Sequence, residues 1–317
     1  MKIIHDPASL PVSLGNTDET GLYCATIGFF DGVHRGHRFL LNQVKTAAKD
    51  RSLQTLVVTF AQHPRETLQT DYRPLLLTTP EEKVHLLESN KVDACAVLHF
   101  SKEMAALSAY EFMKYYLYDY LGVRCLVIGY DHRFGHNRNE GFPEYRTYGK
   151  EIGIEVIQAE PLKNDDFTVS SSVVRRFLEA GKVEMAAKCL NRPYHLSGTV
   201  IEGRQMGRDL GFPTANLQPE HPYLLIPARG VYAIYAEVDG KRYPAMLNIG
   251  RRPTLNNGSD CSIESHLFGF NGNLYGKTIT LYFQEHLRDE HKFNSLDELK
   301  EQLRKDAEQT LNVLKSC

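Results

Sequence analysis

The stretch Thr26-Ile-Gly-Phe-Phe-Asp-Gly-Val-His-Arg-Gly-His37 decides the fold that we predict for the first half of this chain. The apolar run before it, Leu22 to Ile27, predicts a buried strand, and residues 38–49 after it carry the apolar spacing of a helix. Glycines let a backbone approach a ligand closely, and the stretch contains Gly28, Gly32 and Gly36. The sequence therefore predicts a strand, a glycine-rich turn and a helix in succession.

Two histidines stand where the predicted helix begins. His34 and His37 are three residues apart, so we expect their imidazoles to share one face of the first turn. The same helix start offers unpaired backbone N–H groups and the positive end of the helix dipole, and both attract anions. These features predict a phosphate-binding site at the end of the first strand.

Length and composition predict a globular protein of two domains. The chain has 317 residues, more than one hydrophobic core usually spans, with 42% hydrophobic and 24% charged residues. A net charge of −2 gives no electrostatic case for a nucleic acid or an anionic membrane as partner. The six cysteines are widely spaced, and neither a signal peptide nor an apolar run of about 20 residues occurs. We therefore expect a cytoplasmic protein.

Further apolar runs alternate with helix signals in the first half of the chain. The runs predicted as strands are Leu53 to Phe60, Ala94 to Phe100, Arg124 to Gly129 and Ile154 to Ile157. Capping boxes at Thr79–Glu82 and Ser108–Glu111 predict helix starts, and residues 141–150 are predicted as helical. This alternation predicts an α/β doubly wound parallel sheet, which binds ligands beyond the carboxyl ends of its strands.

The apolar period changes near residue 185, which divides the chain into predicted domains 1–185 and 186–317. The strands predicted beyond it are His195 to Ile201, Gly230 to Val238, Lys241 to Ile249, Ser262 to Phe268 and Lys277 to Phe283. Asp239-Gly240 predicts a type I′ hairpin turn. Several short antiparallel strands predict a small β-barrel, and a capping box at Ser295–Glu298 predicts a C-terminal helix to about Leu314.

Two motifs of the first domain resemble phosphate-binding motifs of bacterial bifunctional riboflavin kinase/FAD synthetases. One is Gly28 to His37, and the other is Val169-Ser-Ser-Ser-Val-Val-Arg175, whose serines also fit a helix N-cap. The resemblance implies that both motifs grip ATP and that His34 and His37 are catalytic. The residues that it implies for binding ATP or its phosphates are Gly28, Phe29, Asp31, Gly36, Ser170, Ser171, Ser172 and Arg175.

A third motif, Gly129-Tyr-Asp-His-Arg-Phe-Gly135, follows the fourth predicted strand. It resembles a loop of the same family, and the resemblance implies that Asp131 and Arg133 bind flavin. His132 stands where the family usually has phenylalanine, a departure that bears on the aromatic contact to the flavin. A second departure is Ala61-Gln62, where the family usually has an acidic residue and a proline, and we assign the adjacent His63 no catalytic role.

The second domain opens with the glycine- and arginine-rich stretch Gly198 to Asn216, which is not a Walker A loop. Its glycines permit close backbone approach, and its arginines can meet phosphate oxygens. Thr214 and Asn216 alternate on one side of a short strand, so their hydroxyl and amide oxygens can converge on Mg²⁺.

The end of this stretch, Gly207-Arg-Asp-Leu-Gly-Phe-Pro-Thr-Ala-Asn216, resembles riboflavin kinase. Three later segments agree with it: Asn248 to Thr254, Ile263 to His266 and Leu287 to Glu290. The resemblance implies Glu264 as the catalytic base and Arg288 and Glu290 at the flavin pocket. It implies that ATP or its phosphates are bound by Gly203, Gly207, Arg208, Gly211, Pro213, Thr214 and Asn216, with Thr214 and Asn216 also as magnesium ligands.

The resemblance covers nearly the whole chain and implies a bifunctional enzyme of flavin-cofactor synthesis. The second domain would phosphorylate riboflavin to FMN with ATP and Mg²⁺, and the first would adenylylate FMN to FAD with a second ATP. One alternative is a riboflavin kinase whose first domain is inactive, which the presence of His34 and His37 disfavours. Another is a non-catalytic flavin-binding regulator, which Glu264 beside Thr214 and Asn216 disfavours. A class I aminoacyl-tRNA synthetase is disfavoured by the missing Lys-Met-Ser-Lys-Ser loop.

Overall fold

The chain forms two compact units in a computed structural model, Met1–Val169 and Ser170–Cys317. The residues that the structure describes are 1–5, 22–63, 66–67, 75–136, 139–162, 168–202, 211–251 and 261–315. The division between the units falls earlier in the chain than residue 185. The predicted domain boundary near that residue stays a prediction.

A six-stranded parallel sheet forms the first unit. Its strands are β1 (Lys2–His5), β2 (Tyr23–Ile27), β3 (Gln54–Phe60), β4 (Ala94–Leu98), β5 (Val123–Ile128) and β6 (Glu155–Gln158). They lie in the order β1-β4-β3-β2-β5-β6, and every neighbouring pair is parallel. The order reverses between β2 and β5, so the carboxyl ends of these two strands form the crevice where such sheets bind ligands.

Helices connect these strands, and two of them begin with the predicted capping boxes. They are α1 (Arg35–Asp50), α2 (Pro80–Ser89), α3 (Lys102–Ala106), α4 (Ala109–Glu111) and α5 (Phe142–Ile152). The fourth continues as a π-helical segment, Phe112–Tyr120. On one face of the sheet α1 packs Val44 and Ala47 against Cys24 of β2. Burying a side chain such as Val44 contributes about 1.5–3 kcal/mol, so this packing fixes the start of α1 at the carboxyl end of β2.

The predicted α/β sheet is confirmed, with small shifts at the strand ends and one additional strand. All five residues of β2 are buried, which is why its apolar run was a clear signal. The additional strand, β1, is mostly exposed at the sheet edge, so it carries no such run. The first helix begins at Arg35, earlier than residue 38, because the side chain of His34 caps it.

A closed six-stranded barrel forms the second unit, as predicted. Its strands are β7 (His195–Ile201), β8 (Ala215–Pro219), β9 (Gly230–Val238), β10 (Lys241–Arg251), β11 (Cys261–Leu267) and β12 (Thr278–Arg288), in the order β10-β11-β8-β7-β12-β9. Among its described residues the unit also has three helices: α6 (Ser171–Glu179), α7 (Val183–Leu190) and α8 (Leu296–Lys315). The β9–β10 turn has φ of 51° at Asp239 and 76° at Gly240, as a type I′ turn requires.

The C-terminal helix α8 packs against β9, β10 and β12. It is tied to the barrel by Tyr235, whose hydroxyl donates to the carbonyl of Leu314 at 2.8 Å. Among the helices of the described ranges, none has the length and hydropathy that crossing a membrane would require.

Candidate active sites

The turn between β2 and α1 has a strained backbone. Phe30 and Val33 have positive φ angles of 56° and 39°, and Gly32 between them has a φ of 76°. A residue other than glycine in such a conformation costs on the order of 1–3 kcal/mol, and a β-branched residue such as Val33 adopts it least readily. Strain of this kind persists only where surrounding contacts impose it. The turn is therefore a candidate functional element on its backbone geometry alone.

His34 is the N-cap residue of α1. Its Nδ1 accepts a hydrogen bond from the backbone N–H of His37 at 3.3 Å. An accepting Nδ1 carries no proton, so the neutral imidazole must carry its proton on Nε2. Capping of the helix thus selects the tautomer in which Nε2–H can donate to a ligand.

His37 stacks on His34, and the two rings thus share the face that their spacing predicted. Their ring centroids lie 3.6 Å apart at an interplanar angle of 16°, and the ring of Phe30 lies 4.9 Å from that of His37. Desolvation, and then the charges of His34, His132 and Lys83, hold the pKa of His37 well below the ordinary 6.5. Its buried Nδ1 has no hydrogen-bond partner among the described residues. The site therefore presents a neutral imidazole at neutral pH.

The glycine at position 36 leaves room for these rings. A Cβ atom there would lie 3.1 Å from Cε1 of His34 and 3.4 Å from the carbonyl oxygen of Val169. Contacts this short would push the capping imidazole aside. Gly36 thus has a packing role in the turn, and its contact with ATP stays a prediction, as it does for Gly28 and Phe29.

Asp31 anchors the turn to the start of α2. Its side chain is only 3% exposed and accepts from the backbone N–H groups of Leu77 at 2.9 Å and Thr78 at 3.3 Å. The N–H of Gly32 donates in turn to the hydroxyl of Thr78 at 3.2 Å. These bonds give the carboxylate a positioning role, and a direct contact of Asp31 with ATP stays a prediction.

The loop after β5 lies at the same crevice. Asp131 and Arg133 are exposed there, and His132 lies close enough for its charge to lower the pKa of His37. Phe134 secures the loop, since its ring stacks on Tyr145 at 4.3 Å and its N–H donates to the Tyr145 hydroxyl at 2.9 Å. The predicted flavin contacts of Asp131 and Arg133 stay predictions. The departure at position 132 places a third imidazole near those of His34 and His37.

The serine run begins α6, which belongs to the second unit. Ser170 is the N-cap, and its hydroxyl accepts from the backbone N–H of Val173 at 3.3 Å. The predicted capping role is therefore confirmed. Phosphate binding by Ser170, Ser171, Ser172 and Arg175 stays a prediction.

Three polar side chains of the barrel stand in one row across three strands. Glu264 of β11 pairs in register with Asn248 of β10 on one side and with Asn216 of β8 on the other. Residues paired in this way share a face, with Cβ atoms about 4.5–5.5 Å apart. All three are half-buried, whereas Ser265 and Ile263 beside Glu264 are buried. The row thus presents one carboxylate between two amides on an accessible face.

His266 holds the segment that leads into β8. Its Nδ1 lies 2.8 Å from the carbonyl oxygen of Pro213, which can only accept, so the proton is on Nδ1. The ring also meets those of Phe212 at 5.3 Å and Phe268 at 5.1 Å. Because His266 and Glu264 are two apart on β11, they lie on the same face. The sequence offered this alternation as a signal, but we gave His266 no role from it.

Glu290 approaches the barrel where Gly250 leaves space. A Cβ atom at position 250 would lie 2.7 Å from Oε1 of Glu290 and 3.1 Å from Nδ2 of Asn248. Glycine is therefore required for the carboxylate to come this close. The contact places Glu290 beside the polar row, and its predicted contact with flavin stays a prediction.

Arg288 is engaged by α8. Its Nε and Nη2 donate to the carboxylate of Asp306 at 2.9 Å and 2.7 Å, and its Nη1 donates to the carbonyl of Asp289 at 3.0 Å. Asp306 is only 1% exposed. This geometry gives Arg288 a positioning role between β12 and α8, and its predicted flavin contact stays a prediction.

Several predicted ATP-binding residues of the barrel unit have no described surroundings. Gly203, Gly207 and Arg208 lie outside the described residues. Gly211 is described, and its φ of 83° is one that glycine adopts freely. Pro213 precedes Thr214 directly, and its carbonyl is the acceptor for His266.

The oxygens near Glu264 fit Mg²⁺ chemically. Thr214 and Asn216 are half-buried and offer a hydroxyl and an amide oxygen, which are hard ligands of the kind that Mg²⁺ accepts. Within the part of the chain that is described, no group of three or more His, Cys, Asp or Glu side chains could hold a metal ion.

Comparison with known proteins assigns a different family model to each half of the chain. The model for FAD synthetase matches residues 17–173, and the model for riboflavin kinase matches residues 190–314. The crystal structure of a protein from Streptococcus pneumoniae, described as a macrolide-efflux protein, gives a TM-score of 0.85 at 30% identity. The match covers 98% of this chain and 99% of that one.

Relatives of similar length carry both halves. The bifunctional riboflavin kinase/FMN adenylyltransferase of Pseudomonas fluorescens is 36% identical, over 87% of this chain and 88% of its own length. The proteins of the same name from Bacillus subtilis and Escherichia coli are 36% and 37% identical, over 90% and 89% of each chain. With both family models matched in series, this chain belongs to the bifunctional riboflavin kinase/FMN adenylyltransferase family.

Proposed function

We propose that this chain converts riboflavin to FMN and FMN to FAD, using ATP in both steps. The observation that carries the proposal is that each half of the chain matches a different family model, one for FAD synthetase and one for riboflavin kinase. Its partners are riboflavin, FMN, FAD and ATP. We propose a cytoplasmic location with it, because the six widely spaced cysteines of the sequence fit a reducing compartment.

The barrel unit carries the kinase reaction. The 5′-hydroxyl of riboflavin attacks the γ-phosphorus of ATP, the bond to ADP breaks, and the hydroxyl proton passes to Glu264. A positioned base of this kind contributes roughly 10²- to 10⁴-fold to the rate. Asn216 and Asn248, in register on either side of Glu264, can orient its carboxylate.

Mg²⁺ is part of the proposed kinase reaction. Thr214 and Asn216 would hold it, together with phosphate oxygens of ATP. When bound, it supplies positive charge at the phosphate oxygens. The protein side chains do the remaining work: they place the hydroxyl, orient the base and accept the proton.

The α/β unit carries the adenylyl transfer. A phosphate oxygen of FMN attacks the α-phosphorus of a second ATP, and pyrophosphate leaves. This nucleophile is already an anion near neutral pH, so no general base is required. Nε2–H of His34 and the neutral imidazole of His37 donate to oxygens on which negative charge grows. By analogy with oxyanion donors, each contributes about 3 kcal/mol to stabilising the transition state.

Isotope labelling tests both reactions at once. ATP labelled at the γ-phosphate should put label into FMN, and the label should persist in FAD made from riboflavin. ATP labelled at the α-phosphate should label FAD and never FMN. Chromatography of the flavins formed from riboflavin, ATP and Mg²⁺ is the measurement.

The same experiment separates the alternatives. A kinase with an inactive first unit would yield γ-labelled FMN and no FAD. A flavin-binding regulator would leave ATP unconsumed. Label from the α-phosphate in FMN would overturn the assignment of reactions to units.

A further inference from the structure

A buried ammonium lies beside the strained turn of the α/β unit. Lys83 of α2 is only 3% exposed. Its Nζ donates to the carbonyl oxygen of Phe60, at the carboxyl end of β3, at 2.8 Å. The same Nζ lies 4.1 Å from the centroid of the Phe29 ring, a cation–π contact at the start of the turn. No motif of the sequence pointed to this residue.

Burial of a lysine needs compensation, because removing its charge from water costs several kcal/mol. Here a carbonyl oxygen and an aromatic face provide part of that compensation. Asp31 provides more, since its negative charge acts to raise the pKa of Lys83. Desolvation is nevertheless the larger effect and lowers the pKa of Lys83 from 10.5 to about 8. The ammonium is thus mostly charged at pH 7, but its neighbours offset only part of the cost of burying that charge.

Few titratable groups face this ammonium among the described residues. They are Asp31 in the turn, Cys95 of β4, Glu81 of α2 itself and His37 of α1. Burial raises the pKa of the Cys95 thiol to about 11, so it is neutral. His37 is neutral as well, and the charge of Lys83 contributes to keeping it so. The carboxylate of Asp31 is already occupied by backbone N–H groups.

We propose that Lys83 is a positioning cation of the adenylyltransferase site, which holds Phe29 at the head of the turn and supplies fixed positive charge behind the phosphates of the nucleotide. This inference rests on the proposed adenylyl transfer. Lys83 does not touch the substrate. It acts by holding the Phe29 ring, by keeping His37 neutral and by the electrostatic attraction between its ammonium and the phosphates. A triphosphate on the turn supplies the negative charge that the buried ammonium lacks in the free protein.

A pH dependence follows from this coupling. Bound phosphates raise the pKa of Lys83, so nucleotide binding favours its protonated form. At pH 7, well below this pKa, the lysine is mostly protonated, and binding is near full strength. Above pH 8 binding must also take up a proton, so it weakens as the pH rises. With a pKa of about 8 in the free protein, the KM for ATP in FAD formation should rise about tenfold between pH 7 and pH 9.

Two substitutions test the proposal in the full chain. Lys83→Met removes the charge and nearly keeps the volume, and it should raise the KM for ATP in FAD formation at least about tenfold at pH 7. Lys83→Arg keeps a charge that does not titrate below pH 12, so its KM should stay flat between pH 7 and pH 9. Lys150→Met on the exposed side of α5 is the matched control and should behave as the wild type.

Failure of the Lys83 role and failure of the proposed adenylyl transfer would give different results. A wild-type KM in Lys83→Met, or the same tenfold rise in Lys83→Arg, would overturn the role of Lys83. If neither variant folds, the wild-type profile decides, because a KM that does not change between pH 7 and pH 9 is incompatible with the proposal. A wild-type chain that makes no FAD would overturn the proposed adenylyl transfer instead. The KM for ATP in FMN formation should not respond to either variant.

Discussion

The two units build their candidate sites from different parts of a fold. In the α/β unit the polar groups gather at the start of α1, where His34 caps the helix and His37 stacks on it. Burial lowers the pKa values of both His37 and Lys83 there, and the charges of His34, His132 and Lys83 lower that of His37 further. In the barrel unit, Glu264 stands in the middle of a strand, between amides in register on an accessible face.

The contrast follows from the two nucleophiles. A phosphate monoester is an anion before it reacts, so its site needs hydrogen-bond donors that point at it, and we propose the start of α1 and the imidazoles of His34 and His37 as these donors. A ribityl hydroxyl must lose a proton, so its site needs a carboxylate that stays hydrated enough to be charged. Glu264, which we propose for this role, is half-buried on an accessible face of β11.

Removing an imidazole donor should have the largest effect. His37→Ala deletes the transition-state donor that we propose in the α/β unit, so FAD formation from FMN should fall by about 10²- to 10³-fold. FMN formation from riboflavin should be unchanged, because it takes place in the other unit. Separate assays of the two reactions on the same preparation provide the measurement.

A matched control is available on α2. The side chain of His85 is 82% exposed, and His85→Ala should leave FAD formation at the wild-type rate. Equal losses in His85→Ala and His37→Ala would show that a general effect on the unit, and not the loss of a donor, is responsible.

The base of the kinase reaction comes next. Glu264→Gln nearly preserves the shape of the side chain but removes the proton acceptor, so FMN formation should fall by at least about 10²-fold. FAD formation from supplied FMN should be unaffected. Glu308→Gln on the exposed side of α8 is the control. A Glu264→Gln chain with near-normal kinase turnover would mean that the base is elsewhere or that none is needed.

The sequence predicted best what depends on local pattern. The buried run of β2 predicted the strand, and the spacing of His34 and His37 predicted that their imidazoles share a face. The shared face predicted for Thr214 and Asn216 stays a prediction, since β8 begins at Ala215. In each case the partners are at most a few residues apart, so a period or a capping rule is enough.

Contacts between distant segments could not be predicted from the sequence. Lys83 donates to a carbonyl of β3, and His266 to the carbonyl of Pro213 before β8. A carbonyl is the same in every residue, so no side-chain pattern marks such an acceptor. Arg288 was predicted at the flavin pocket by motif alone, yet its guanidinium pairs with Asp306 of α8. Register and helix docking create these contacts, and neither can be read from the motif.

The pair formed by Arg288 and Asp306 should govern stability more than catalysis. Asp306→Asn keeps the shape but removes the charge from a nearly buried, two-pronged contact. Hydrogen bonds to charged groups contribute about 1.5–3 kcal/mol, so the free energy of unfolding of the barrel unit should fall by about 2 kcal/mol. Denaturant titration of the full chain measures this loss, with kinase activity as the signal that reports the folded barrel unit. A kinase defect without any loss of stability would instead support the flavin contact first predicted for Arg288.

The smallest expected effect concerns His266, which touches neither the base nor the transferred phosphate in our proposal. Its Nδ1–H donates to the carbonyl of Pro213, and Thr214 follows directly, so losing the bond should loosen the segment that we propose to bind ATP. His266→Phe keeps the ring beside Phe212 but removes the donor, which costs about 1 kcal/mol.

We therefore expect the KM for ATP in FMN formation to rise about five- to tenfold, with kcat within about twofold of the wild type. His266→Gln restores an N–H donor and should recover part of the loss, which a general packing defect would not allow. FAD formation from supplied FMN should be identical in all three proteins. If kcat falls and KM does not change, His266 acts on the chemistry of Glu264, its neighbour on the same face, and the barrel site would resemble the α/β site in using an imidazole.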